Sequence, residues 1–360
     1  MIKSHGCILL LSLLALLSCG GGREEAGEYV FPKFDWEERR EFELITPELA
    51  PLSRVGDLAV YGDYLAVVSL DLRDGGFLHL IDKRTGERVG STAAYGRGPG
   101  ELLSTPQMRI SGHECNLYDR VAQKTQVYDL DALLAGEPSF LRTRPSHLLW
   151  HSPTGVFEQE DRAVALTNRS PLATALYQED ARLVLETESD TFEYDEYPID
   201  DLERTWFMYM TPYMAVSPDF DRLAVVPAHG GIVERFELSE DGIRLLGVDR
   251  FMAPDFEVKN GERVFSDERP LPTCFSGLAA SEERIFAGMV DEDIPPRGRP
   301  GLSAIPVLAV FDWSGRALYR ARTSVRQIES VAYDASENTV YASVCDDDGR
   351  RYLGKMKLPE

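Results

Sequence analysis

The sequence has 360 residues, is 43% hydrophobic, and carries 60 acidic against 38 basic residues, a formal net charge of −22. Such a chain can bury a sizeable core and is not disordered as a whole, while its charge repels phosphate backbones and excludes nucleic acid as a partner. Five cysteines (Cys7, Cys19, Cys115, Cys274 and Cys345) form no Cys-x-x-Cys pair, which excludes a zinc site and a disulfide framework. The last three are expected as small buried residues, with one bridge left open in an oxidising compartment.

At the amino terminus Lys3 is followed by a run of about ten mostly apolar residues, 8–17. A helix needs about 20 residues to span a bilayer core, so the run matches the apolar region of a signal peptide. It ends in Leu16-Leu17-Ser18-Cys19-Gly20, which resembles the bacterial lipobox. The resemblance implies cleavage before Cys19 and attachment of acyl chains, such as palmitate, to its thiol and new amino group. Cys19 is then the lipidation site and the membrane a partner. An ordinary secretory signal with an incidental cysteine is the alternative. Gly20-Gly21-Gly22 reads as the start of a flexible tether. Acidic residues Glu24 and Glu25 resemble signals that carry lipoproteins to the cell surface, and Gly20 differs from the aspartate that retains them at the inner membrane. The expected place is the cell envelope, at the outer membrane, on either side of it. The boundaries expected are 1–18 for the signal, 19–40 for the lipidated cysteine and tether, and 41–360 for the body.

The body shows no sustained helical period. Short alternating strands separated by turn residues predict an all-β fold. One pattern recurs: an apolar strand, a polar turn, and a strand rich in β-branched or aromatic residues. Its copies are residues 58–68 (LAVYGDYLAVV), 108–118, 156–167, 214–226, 278–290 and 331–344. Successive copies start about 50–65 residues apart, the spacing of propeller blades. Further strands follow them at 77–82, 125–129, 175–178 with 182–186, 233–238, and 307–312 with 317–320. The sixth unit has one more strand, 351–358, and lacks a fourth. A strand at 41–46 (EFELIT) precedes the first unit and is expected to complete the last one. The prediction is a six-bladed β-propeller with four-stranded blades, its ring closed by an N-terminal strand, which also removes exposed sheet edges. Two consecutive β-sandwiches are the rival, without a Cys…Trp…Cys pattern to support them.

Between the first two units stands Tyr95 to Pro106, YGRGPGELLSTP. Its Gly96-x-Gly98-Pro99-Gly100-Glu101 run resembles the inter-blade signature of NHL-type repeats, and the chain is most similar to TolB-like six-bladed propellers found among bacterial lipoproteins. The resemblance spans about residues 41–360 and implies no set activity. The run has no Lys-Ser/Thr of a phosphate loop and opens no helix.

Few residues point to chemistry. His147 and His151 are four apart but flanked by Pro145 and Pro153, without a third ligand; His113 and His229 read as loop residues. The acidic runs 291–293 and 346–348 lack the alternation of a calcium loop and read as solvated turns. No cofactor or metal is expected. Sugar lactonases on similar propellers hold a metal with Glu, Asn and Asp from several blades; no such set stands out in the sequence. The aromatic segment 206–213 (WFMYMTPY) is the candidate ligand-binding element. Trp206, Tyr209 and Tyr213 could stack on a sugar or peptide at a channel mouth, or pack between blades. No Gly-x-Ser-x-Gly elbow is present, and no catalytic residue is assigned. The leading expectation is a non-catalytic module that binds a glycan, peptide or protein. The alternative is a propeller enzyme, such as a lactonase, a lyase or a glycan-active enzyme, with its site at the channel mouth.

Overall fold

The computed structural model describes residues 28–45, 54–71, 75–145, 153–159, 162–167, 181–199, 201–210, 212–227, 229–254, 256–265, 274–292 and 304–360. Cys19 and the segments before it lie outside the described residues, as do His147, His151 and the predicted strand 175–178.

Two short strands come first, β1 (Trp36–Arg39) and β2 (Glu43–Leu44). Blade one is β3 (Val55–Tyr61), β4 (Tyr64–Ser69), β5 (Leu78–Asp82) and β6 (Arg88–Thr92), hydrogen-bonded in that order. Blade two is β7 (Gln107–Ser111), β8 (Glu114–Asp119), β9 (Lys124–Asp129) and β10 (Phe140–Pro145), with helix α1 (Leu130–Leu134) before its last strand. Blade three is β11 (Pro153–Glu158), β12 (Ala163–Thr167), β13 (Leu183–Glu186) and β14 (Thr191–Tyr194). Helix α2 (Leu202–Met208) leads to blade four, β15 (Tyr213–Val216), β16 (Arg222–Val226), β17 (Gly231–Ser239) and β18 (Gly242–Met252). A separate hairpin follows, β19 (Phe256–Lys259) with β20 (Glu262–Phe265). Blade five is β21 (Phe275–Ala280), β22 (Arg284–Met289), β23 (Val307–Asp312) and β24 (Ala317–Arg322). Blade six is β25 (Gln327–Asp334), β26 (Thr339–Cys345) and β27 (Arg351–Lys357).

The amino-terminal strands complete this arrangement. β2 pairs antiparallel with β27, Glu43 opposite Lys355 and Leu44 opposite Gly354, and supplies the fourth strand of blade six. β1 adds to β24 in parallel, so blade five gains a fifth strand. All six predicted first hairpins are present. In blade three the strand expected to be the last, 182–186, is the third: it pairs with β12 on one side and β14 on the other.

Hydrophobic burial joins each blade to the next. One cluster links Val68 and Leu80 of blade one to Leu117 and Tyr128 of blade two. Tyr118 of blade two packs on Val156 and Ala165 of blade three. Leu166 and Leu185 meet Leu223 and Phe236 across the next seam, and Val226 and Val233 meet Phe275 and Ile285 across the one after. Phe286 and Val310 meet Ile328 and Val344. The last cluster joins Tyr341 and Leu353 of blade six to Leu58 and Leu65 of blade one, and the ring is closed. The middle strands are covered on both faces by neighbouring blades. That is why β12 (AVALT) and β26 (TVYASVC) are buried along their whole length instead of alternating.

Candidate functional site: the central channel

The first strand of each blade is innermost, and these strands stand side by side around the ring in the order β3, β7, β11, β15, β21 and β25. Each begins on one face of the disc, called upper here, and runs to a hairpin turn on the lower face. They enclose a channel of about 600 Å³. Small and aliphatic residues dominate its wall, among them Ala59, Ile110, Val216, Leu278 and Ala332. Polar groups interrupt it at chosen places.

Near the upper end, Asp57 accepts a hydrogen bond from the Leu58 amide (2.9 Å) and another from the Met108 amide of blade two (3.0 Å). Burial outweighs these bonds and pushes its carboxyl up to about 6. Gln107 repeats the device one blade further on, its Oε1 accepting from the Val156 amide (2.6 Å). Ser276 of blade five donates to the Ile328 carbonyl of blade six. Each inner strand that does this satisfies a backbone group of its neighbour. Tyr213 lines the wall on blade four, and burial raises its phenol pKa, with Arg54 opposing and Glu329 adding to the shift. Glu329 is itself held by Arg351, whose Nε donates to both carboxylate oxygens (3.0 and 2.9 Å).

Toward the lower end, Arg109 on β7 crosses the channel rim. Its Nη2 donates to Gln159 Oε1 of blade three and to the Pro218 carbonyl of blade four, both at 3.0 Å. Its guanidinium lies over the Phe220 ring, 4.8 Å from the centroid. Burial lowers its pKa to about 10.

The aromatic segment is divided between two environments. Tyr213 reaches the channel. Tyr209 is 1% exposed and belongs to the seam between blades three and four. There Arg182 and Glu234 form a buried ion pair (2.5 and 2.6 Å), the Tyr209 hydroxyl donates to Glu234, and the guanidinium is sandwiched 4.6 Å from the rings of both Tyr197 and Tyr209. Trp206 packs against Phe207 (4.5 Å) and the same apolar cluster. The three residues therefore do not converge on one site. Asp57, Gln107 and Arg109 were not singled out in the sequence. The signal that marks them is a polar side chain within an inner strand rich in small or apolar residues.

The glycine-rich run 96–101 is folded onto its own acid. Glu101 Oε2 accepts from the Gly98 amide (2.6 Å), and a Cβ at Gly96 would stand 2.0 Å from that oxygen. A carboxylate occupies the place an anion would take, and Tyr128 fixes the run to blade two through the Gly100 carbonyl (2.8 Å). Cys115, Cys274 and Cys345 are buried free thiols. His113 is exposed, 4.0 Å from Asp129, and His229 stands edge-on to Phe256. In the acidic runs, Asp291 pairs with Arg322 (2.8 Å), Glu292 with Arg320 (2.7 Å), and Asp348 with Arg350 (3.1 Å). Among the described residues no group of three His, Cys, Asp or Glu side chains could hold a metal ion, and no helix is long and apolar enough to cross a membrane.

No family model matches the chain, and no curated protein matches it in sequence. Its fold is similar to that of an exported protein from Bacteroides fragilis. The two share 12% identity and a TM-score of 0.53 over 90% of this chain and 99% of the other. A member of the DUF4221 family from Bacteroides vulgatus is similar at a TM-score of 0.48, 8% identity, and coverage of 92% and 97%. A luciferin-regenerating enzyme is similar at 0.45 and 8% identity, with coverage of 86% and 93%. At such identities the likeness is one of fold.

Proposed function

We propose that this protein is an extracytoplasmic β-propeller lipoprotein, anchored through Cys19, that binds a ligand in its central channel. The channel carries the reading. It is a concave space of about 600 Å³ in which polar groups stand among small and aliphatic side chains, a size that takes a small ligand. Tyr213 offers an aromatic face inside it, and Asp57, Gln107 and Arg109 offer hydrogen bonds.

Location rests on the lipobox-like Leu16-Leu17-Ser18-Cys19 and the glycine tether after it. The fold's similarity to an exported protein agrees with it. One acyl chain holds a membrane only marginally, and several hold it durably. The outer membrane is the proposed site, and a TolB-like or NHL-like family the proposed kinship, on the strength of the Gly96 to Glu101 run.

An enzyme reading has one observation in its favour, the raised pKa of Asp57 inside the channel. Glycoside hydrolysis needs two flanking carboxylates, and among the described lining residues Asp57 is the only one.

Two measurements test the proposal. Mass spectrometry of the amino-terminal peptide should find acylated Cys19 in the full chain and none in Cys19→Ala; an unmodified Cys19 defeats the anchor. A thermal-shift panel of glycans and peptides against the detergent-solubilised protein should give hits that Tyr213→Ala weakens. Hits indifferent to Tyr213 place the ligand elsewhere.

A further inference from the structure

Four of the described buried cations of this acidic chain meet carboxylates. Lys83 reaches Asp334 (2.7 Å), Arg182 reaches Glu234 (2.5 Å), Arg235 reaches Asp249 (2.7 Å), and Arg320 reaches both Glu37 (2.6 Å) and Glu292 (2.7 Å). A buried charge is costly unless paired, so this is the expected pattern. With 60 acids in the chain, partners are not scarce.

Arg109 departs from it, as do Arg144, Arg204 and Arg250, which likewise donate to neutral acceptors, but of these four Arg109 alone lines the channel. Its two protein acceptors, Gln159 Oε1 and the Pro218 carbonyl, are neutral and both serve Nη2. Its Nε is buried with no acceptor. Among the described residues no carboxylate pairs with it. A guanidinium has five N–H donors; Nη2 is spent, Nε is sealed from the channel, and Nη1 is left over on a residue that lines the channel.

The arginine is also held in place. Phe220 lies beneath the guanidinium and is fully buried. Phe220 adopts φ +59°, a left-handed conformation that bulky residues rarely take. The turn carrying it is fixed by Ser217, whose hydroxyl accepts from the amides of Asp221 (3.1 Å) and Arg222 (3.0 Å). Backbone strain of this kind persists where surroundings over-determine it. Here it places a ring under a cation, which favours the planar guanidinium over a lysine ammonium.

We propose that Arg109 is the anion-recognition group of the channel and that the ligand bears a single carboxylate, as uronic acids and free amino-acid or peptide termini do. One guanidinium neutralises one negative charge, and with both Nη2 protons given to Gln159 and Pro218, Nη1 is the nitrogen left to donate to a carboxylate oxygen. A phosphate carries more charge than Arg109, the single cation among the described lining residues, offsets. The channel wall above Arg109, with small, aliphatic and polar side chains, takes the rest of the ligand. This inference rests on the reading of the channel as the ligand site.

The test compares acids with neutral partners on the unaltered full chain by calorimetry: glucuronate against glucose, and N-acetylalanine and a C-terminal dipeptide against their amides. At least one acid should bind ten or more times tighter than its neutral partner. The glucuronate and amino-acyl arms distinguish a sugar from a peptide source. Arg109→Gln should remove the preference, and Arg109→Lys should restore part of it. Equal affinity for acid and neutral partner, or a preference that survives Arg109→Gln, overturns the inference. If neutral compounds bind and Tyr213→Ala weakens them, the channel reading stands while the Arg109 inference falls. If nothing in the panel binds, both fall.

Discussion

Residues a few positions apart in this molecule stand in different surroundings. Tyr209 and Tyr213 are four positions apart and look alike in sequence, yet one seals a seam and the other faces the channel. The sequence shows the aromatic density but not this division, which depends on where α2 ends and β15 begins. Tyr209→Phe removes a hydrogen bond to a buried carboxylate and should destabilise the protein by about 1.5–3 kcal/mol in urea titration, with channel binding unchanged. Asp57 makes the opposite kind of prediction. Its carboxyl is raised from 3.8 to about 6, so the folded state holds the proton more tightly than the unfolded one. Between roughly pH 4 and pH 6 the folded state binds more protons, and stability falls as pH rises through that window. At about 1.4 kcal/mol per pKa unit the loss is on the order of 2–3 kcal/mol. Asp57→Asn should abolish that slope, so melting temperatures measured at pH 4 and pH 7 should differ less than in the unaltered protein. A difference of the same size in both would refute the assignment.

Among the elements, the first hairpin of every blade was legible because its two apolar strands flank a short polar turn at a recurring interval. The outer strands were less so. In blade three, residues 182–186 look like a closing strand because they follow an acidic turn, but they are buried under both neighbours as the third strand. β14 (TFEY) is exposed on alternate residues and too short to announce itself. Bulges could not be read at all. The inner strands of blades one, three, five and six each slip register near their upper end, at Val55/Asp57, Pro153/Gly155, Ser276/Leu278 and Ile328/Ser330. A bulge bends a strand and re-aims its side chains; in blade one it accompanies the carboxylate of Asp57 that reaches the next blade. In blade five the bulge residue is Gly277, at φ +61°, where a Cβ would lie 2.8 Å from the Ser330 Cα. Both the backbone angle and the approach of β25 exclude a side chain there. Gly277→Ala should cost more than about 2 kcal/mol in denaturant titration. A neutral effect would mean that the two inner strands do not meet so closely.

At the scale of the whole molecule, the ring depends on the seam between blades six and one. Lys83 crosses it to Asp334 (2.7 Å) and Glu337 (3.1 Å). Burial alone would lower the ammonium pKa, but the two carboxylates outweigh it and hold it above its usual value. Lys83→Met strands Asp334 without its cation and should destabilise the protein by about 3 kcal/mol. Adding Asp334→Asn should recover part of that loss; if the double variant is no more stable than the single one, the ion pair is not what joins the blades. The repeat count and the spare strand at 41–46 made closure readable in the sequence. The parallel addition of β1 to blade five was not, because WEER has no strand pattern of its own and is placed by Arg320 and Tyr319, which bond Glu37 (2.6 Å) and Glu38 (2.7 Å).

That clasp has a consequence for assembly. Glu43 pairs with Lys355, so a strand from the start of the chain must wait for nearly all the rest before it finds its partner. Chains are made from the amino terminus onward, and domains form as they emerge. The first strands made are thus the last to be placed. Until then the outer edges of β24 and β27 stay bare and open to pairing with another copy. Slow, late closure and a window for strand exchange between copies are therefore built into the topology. An amino terminus fixed at a surface would keep the clasp near its own ring and away from its neighbours' rings.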